Sequence, residues 1–225
     1  MKKKEVKKAL AKKDMTLYPL TEAVAKAKAA SKAKFDATVE LHINLSLDQK
    51  KGEANIRFTT VLPNGTGKTK KVAVLASKKI PNADLELMES DIEKIEKGTI
   101  KPKTDFDVLI TEPRFMPKLA KVARILGPMG MMPNPKLGTV TENVEDAVAQ
   151  TKKGKVEIKT EKDVMVIHTI LGKVSFSDNA LAENFKEIFS NLKQNKPAKS
   201  KPEWIKSVYI ATTMGPAFGV TLNDL

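Results

Sequence analysis

Two histidines, no cysteine and a large surplus of lysine set the chemistry open to this chain. Without cysteine there is no disulfide, no thiolate metal site and no sulfur nucleophile, which suits a reducing compartment such as the cytoplasm. His42 and His168 both fall in stretches that read as strands, and two are too few for a histidine-rich metal site. His42 shares the polar side of its strand with Thr38 and Glu40. His168 sits in a mostly apolar run, where a structural role and a contact role are equally open. Carboxylates are scattered and no Ser-His-Asp arrangement is readable, so no acid, base, cofactor or metal site is positioned, which argues against an enzyme. Leu62-Pro-Asn-Gly-Thr-Gly-Lys-Thr imitates the phosphate loop of nucleotidases. Leu62 stands where the first glycine belongs, however, and the stretch feeds Val72-Ala-Val-Leu-Ala, a buried strand, instead of a helix N-terminus.

A net charge of +13 and a pI near 9.6 favour a polyanionic partner, either nucleic acid or an acidic membrane. No apolar run approaches the roughly 20 residues that span a bilayer. The lysine-rich start, Met1 to Lys13, lacks the apolar core of a secretory signal and reads as a solvated end. No amphipathic helix with aromatic anchors is evident, which weakens the membrane reading. Aromatic residues stand beside basic ones at Lys34-Phe35 and between Lys173 and Phe176. Ser207 and Thr213 share one side of the last strand by its period of two, and Gly215-Pro216 holds Met214 out of the ladder. Hydroxyls, apolar surface and fixed backbone suit recognition of RNA shape and 2′-hydroxyls better than the reading of a DNA major groove. The rivals are a nucleotide-dependent enzyme using Gly65 to Thr69, which equilibrium dialysis with nucleotide separates, and a basic membrane-adhering protein.

The elements that must position these groups follow from periodicity. Pro19 opens an alanine-rich helix to about Ala33, with Leu20, Val24 and Ala27 on one side. Val39, Leu41, Ile43 and Leu45 alternate with Thr38, Glu40, His42 and Asn44 in a clear strand. After a turn near Asp48 to Gly52, Ile56, Phe58 and Thr60 alternate with Asn55, Arg57 and Thr59. From Val72 the texture changes. Buried-type runs at Val72–Ala76 and Asp107–Thr111 alternate with helices near Ser90–Lys97, Pro117–Leu126 and Glu142–Lys153, and Asp84–Met88 is a weaker strand. That alternation predicts a small parallel α/β unit. Beyond Gly154 the strands return at Lys155–Thr160 and Val164–Ile170, with Gly172-Lys173 in the turn that follows. A helix over Asp178–Gln194, a loop over Asn195–Pro202 and a last strand over Trp204–Thr213 complete the chain. The simplest architecture is one domain inserted into another between Gly65 and Gly154, whose glycines make a two-strand hinge. The stretch Leu126–Thr141 holds three glycines, three prolines and no acidic residue in sixteen positions, so it reads as a stiff, exposed coil of purely positive charge. Gly127 is a candidate for positive φ there, and Thr139 with Glu142 has capping-box spacing for the next helix.

That loop, Leu-Gly-Pro-Met-Gly-Met-Met-Pro-Asn-Pro-Lys-Leu-Gly-Thr-Val-Thr, closely resembles the characteristic loop of the family of the first protein of the large ribosomal subunit. These are RNA-binding proteins of the mobile stalk beside the tRNA exit site. Ala33-Lys-Phe-Asp-Ala-Thr-Val-Glu-Leu-His, Val174-Ser-Phe and Ser207-Val-Tyr-Ile-Ala-Thr-Thr-Met-Gly-Pro match the same family in order, so the resemblance runs from about Thr16 to Phe218. It implies an α/β protein of two domains. The outer α+β domain is built from both termini, residues 1–65 plus 154–225, and a Rossmann-like α/β domain is inserted at 66–153. It implies RNA contacts at Lys34, Phe35, Thr38, Glu40, His168, Gly172, Lys173, Ser175, Ser207, Thr213, Met214 and Gly215. It further implies a monomer when free, with large-subunit rRNA, exit-site tRNA and its own operon mRNA as partners. No cofactor, metal or membrane enters. The expected place is the cytoplasmic ribosome, with translational repression as a second role. Met129 departs from the family loop, where arginine is common, and Ile80–Phe106 is compressed and lacks expected glycines.

Overall fold

The computed structural model describes residues 16–47, 56–78, 80, 82–161, 164–197, 200 and 203–222. The lysine run at the start, the turn near Asp48–Gly52, Asn55, parts of the Asn195–Pro202 loop and the last three residues lie outside the described residues. The fold is mixed α/β.

Among the described residues ten strands fall into three sheets. The largest contains β1 (Leu17–Tyr18), β2 (Thr38–Leu45), β8 (Val166–Lys173), β9 (Ile205–Thr212) and β10 (Ala217–Val220) in the order β1-β10-β9-β2-β8. β2 lies antiparallel between β8 and β9. One of its faces is apolar: Val39, Leu41, Ile43 and Leu45 from β2 meet Ile167, Leu171, Val208 and Ile210. Two helices, α1 (Leu20–Ala29) and α6 (Asp178–Gln194), cover that face. α6 begins where the Ser177 hydroxyl accepts from the Ala180 amide, satisfying one orphan N–H of the first turn. It then buries Leu181, Phe185, Ile188, Phe189 and Leu192 at helical spacing, worth on the order of 10 kcal/mol gross in apolar transfer. α1 stops short of the expected Ala33. A turn carrying Ser31 N–H to the Lys28 carbonyl ends it, and the Lys28 ammonium is drawn to the Phe176 carbonyl and Asp178.

Two shorter sheets complete the chain. β3 (Arg57–Val61) pairs antiparallel with β7 (Lys155–Lys159). β4 (Val72–Leu75) lies parallel between β5 (Leu85–Leu87) and β6 (Val108–Thr111). α2 (Asp91–Glu96) and a helical run of 3-10 and α turns from Pro113 to Leu126, including α3 (Met116–Leu119) and α4 (Ala123–Leu126), enclose one apolar cluster of this sheet. α5 (Val144–Lys152) joins the other. These two clusters use only residues between Val72 and Val148, whereas the large cluster under the five-stranded sheet uses none of them.

Several expectations need correction. Gly172 and Lys173 belong to β8, because a bulge opposite Val39 and Glu40 absorbs Leu171 and lets pairing resume with Val39↔Gly172 and Thr38↔Lys173. The helical run before the proline-rich loop starts at Pro113, not Pro117, and is broken by 3-10 turns. The Thr139–Glu142 capping box does not form. The Thr139 hydroxyl instead bonds the backbone of Asn134, and α5 starts after Asn143 without a side-chain cap. Within the loop, Met131 is buried and Pro135–Leu137 form a 3-10 turn, so the coil is neither wholly exposed nor wholly irregular. Positive φ falls on Gly130 and Gly138. Gly127 is right-handed, and it is needed because a Cβ there would stand 2.7 Å from the Ala123 carbonyl oxygen.

Candidate nucleic-acid interface

The uncovered face of the five-stranded sheet carries the polar residues of β2. Cross-strand register arranges them in rows. Lys173 and Thr38 lead to Thr213 at one end, then come Ile170, Glu40 and Ala211, then His168, His42 and Tyr209, and finally Val166, Asn44 and Ser207. Ser207 and Thr213 stand on one face at opposite ends, roughly 20 Å apart at the usual rise. Ser207 is fixed by the Asn44 amide, which donates to its hydroxyl at 2.8 Å.

The densest cluster forms where β9 ends. Thr213 donates its amide to the Thr38 carbonyl at 2.9 Å, and its hydroxyl accepts from the Thr38 amide and lies 3.4 Å from Glu40 Oε1. Lys173 Nζ reaches the Thr38 hydroxyl at 3.0 Å and the Asp36 carbonyl at 3.2 Å. Asp36 accepts from both the amide and the hydroxyl of Ser175. Six side chains are therefore held in place before any ligand arrives, so little ordering entropy remains to be lost on binding.

Met214 projects from this cluster. It lies 92% exposed, and its backbone sits at φ 66°, a left-handed conformation costing an L-residue about 1–2 kcal/mol. The tight turn imposes it: Gly215 N–H donates to the Thr212 carbonyl at 2.7 Å. Gly215 cannot be replaced cheaply, since a Cβ there would fall on the Thr212 hydroxyl. A long apolar side chain held outward on a strained turn makes sense as a contact surface. Lys34 and Phe35 lead into β2 from the Asp36 end, and Phe35 is 56% exposed.

Of the residues singled out in sequence, Thr38, Glu40, Lys173, Ser175, Thr213, Met214 and Gly215 come together here, while His168 opposes His42 further along the face. Gly172 behaves differently. A Cβ at this position would lie 2.9 Å from Leu181 and from Phe176, so it serves close packing beneath the sheet. Asp36 and Asn184 went unrecognised in the sequence. Asn184, fully buried on α6, accepts from the Asn64 amide and donates to the Gly65 and Leu171 carbonyls. Its position on the apolar stripe between Leu181 and Phe185 was the readable signal. The phosphate-loop imitation is structural: Gly67 at φ 72° packs on Lys173 and Phe176, and the stretch feeds β4. Among the described residues no three metal-ligating side chains stand together, and no helix is long and apolar enough to cross a membrane.

Fold and site together define a mixed α/β protein with an open, pre-ordered polar sheet face bordered by lysine and exposed apolar groups. The chain belongs to the ribosomal protein L1p/L10e family, whose model matches residues 26–216. Relatives named large ribosomal subunit protein uL1 include that of Aster yellows witches'-broom phytoplasma, 48% identical over 209 residues and covering 90% of this chain and 89% of the relative. That of Mesoplasma florum is 44% identical over 212 residues, covering 92% of each chain. That of Prochlorococcus marinus is 43% identical over 218 residues, covering 94% of this chain and 90% of the relative.

Proposed function

We propose that the chain is a constituent of the large subunit of the cytoplasmic ribosome that binds large-subunit rRNA at the mobile stalk through the open face of its five-stranded sheet. The observation carrying this reading is the exposed, left-handed Met214 set beside the hydrogen-bonded chain Lys173–Thr38–Thr213–Glu40. Hydroxyls and main-chain groups there meet ribose and phosphate. Glu40 accepts from a 2′-hydroxyl or a base amino group, Met214 and Phe35 pack on sugar or base surfaces, and lysines supply salt-dependent attraction. Release of deacylated tRNA from the exit site and repression of its own message, through an mRNA segment that mimics the ribosomal one, belong to the same reading.

Measuring affinity for stalk RNA and for a random duplex across a salt series tests it. Both weaken as salt rises, and the stalk RNA keeps a large advantage at high salt. Parallel collapse of the two affinities would leave charge alone and reject the recognition face.

The same proposal divides the chain into an outer domain, residues 1–65 plus 154–225, and an inserted Rossmann-like domain, residues 66–153, joined at Gly65 and Gly154. Separation of the apolar clusters supports the division, as does the parallel order of β5, β4 and β6. Excising residues 66–153 and rejoining the ends is then expected to leave stalk-RNA affinity within about threefold, less than 1 kcal/mol. A folded excision variant that no longer binds would place essential contacts in the insert.

A further inference from the structure

Midway along the open face, His42 and His168 meet across β2 and β8 with their Nδ1 atoms 2.6 Å apart and their rings at 70°. Nitrogens this close need one proton between them, because two bare lone pairs repel and two N–H groups collide. With a shared proton on the Nδ1 side, both Nε2 atoms carry hydrogens when the pair is cationic. His42 Nε2 lies 3.9 Å from Glu40 Oε2, and His168 Nε2 lies 4.0 Å from Glu161 Oε1, beyond hydrogen-bond length. Both donors therefore have capacity for another acceptor. The surroundings complete the electrostatics. β9 contributes Tyr209 opposite His42, β8 flanks His168 with Val166 and Ile170, β2 contributes Glu40 and Asn44, and the segment after β7 contributes Glu161. Burial first, and then the neighbouring His168 charge, hold His42 protonation below the ordinary imidazole range, while Glu40 acts the other way. An anion arriving on the outer side shifts that balance toward the cation.

We propose that the His42–His168 pair is a proton-linked phosphate contact, donating one of its two diverging Nε2–H groups to a phosphodiester oxygen and binding a proton as RNA docks. This rests on the RNA-binding reading of the open face and adds to it a residue, His42, and a dependence on pH. The sign follows from linkage. Protonation is favoured in the complex relative to the free protein, so the added affinity is fully present below the free-protein pKa. It is lost as pH rises through the pKa of the complex.

The test measures stalk-RNA affinity from pH 8 to pH 5.5 at constant ionic strength for the wild type, His42→Gln and His168→Gln. Proton NMR follows the two imidazole signals of the free and bound protein in parallel. The wild type is expected to tighten by about three- to tenfold toward pH 5.5, within the limit of about tenfold per pH unit set by one proton. Both variants lose that dependence, and RNA raises the wild-type imidazole midpoint. His168 is the more exposed of the two, so its variant keeps the test valid if His42→Gln does not fold. Equal pH slopes in wild type and variants, or an unmoved imidazole midpoint, overturn the proton-linked contact while affinity at pH 8 still upholds the RNA face. Absence of any preference for stalk RNA at every pH overturns the face and this contact with it.

Discussion

Met214→Asp is expected to weaken stalk-RNA binding by roughly 30- to 1000-fold, about 2–4 kcal/mol, without destabilising the fold. The side chain is 92% exposed, so no packing is lost in the free protein. Aspartate also accepts the left-handed conformation at φ 66° better than methionine does. The loss arises only in the complex, where a carboxylate is pressed against phosphates and an apolar contact disappears. Met214→Gly separates strain from contact. Glycine takes positive φ freely, so the free protein is expected to gain up to about 1 kcal/mol of stability. RNA affinity nonetheless falls about tenfold through the lost apolar surface. Chemical denaturation and filter binding read the two quantities separately. A folded Met214→Asp protein with wild-type affinity would remove this turn from the interface.

What the sequence made legible was what periodicity and local rules govern. The alternation in β2 placed Thr38, Glu40, His42 and Asn44 on one face and the core residues on the other. The apolar repeat in α6 located that helix to its ends. Met214 was marked by the Gly-Pro that follows it. What escaped depends on pairing between distant segments. β1 and β10 are short strands whose pairing, Leu17↔Gly219 and Tyr18↔Val220, joins the two ends of the described chain. The bulge at Leu171 moved Gly172 and Lys173 from a turn into a strand, and only the opposing register of β2 determines it. Capping-box spacing at Thr139 gave the wrong partner because Asn134 offers a nearer backbone group across the 3-10 turn. The Asp36 carboxylate has its role through Ser175, 139 positions away. The His42–His168 contact likewise needs register, since neither residue signals the other along the chain.

The second large effect is on stability. Gly154→Ala is expected to cost about 2–4 kcal/mol, lowering the thermal midpoint by roughly 5–15 °C for a chain of this size. Two terms add. Gly154 sits at φ 103°, where an L-residue is strained, and a Cβ would stand 2.7 Å from the Gly65 Cα and 3.2 Å from the Thr66 nitrogen. Those atoms are backbone and cannot rotate aside as a side chain would. The crossing is further pinned by the Leu62 amide, which donates to the Gly154 carbonyl at 3.3 Å, and by Asn184 on the Gly65 carbonyl. Gly65→Ala is the control. It has φ 68°, but its added Cβ would meet nothing nearer than the Lys153 carbonyl oxygen at 3.6 Å, so it is expected to cost only the strain, about 1 kcal/mol. The difference between the two variants measures the collision between crossing strands. RNA affinity below the melting range is expected to stay within about threefold of wild type in both, because neither glycine lies on the open face. Equal destabilisation of the two would mean that the crossing strands yield on substitution. That outcome would favour a compliant crossing over a tightly packed one.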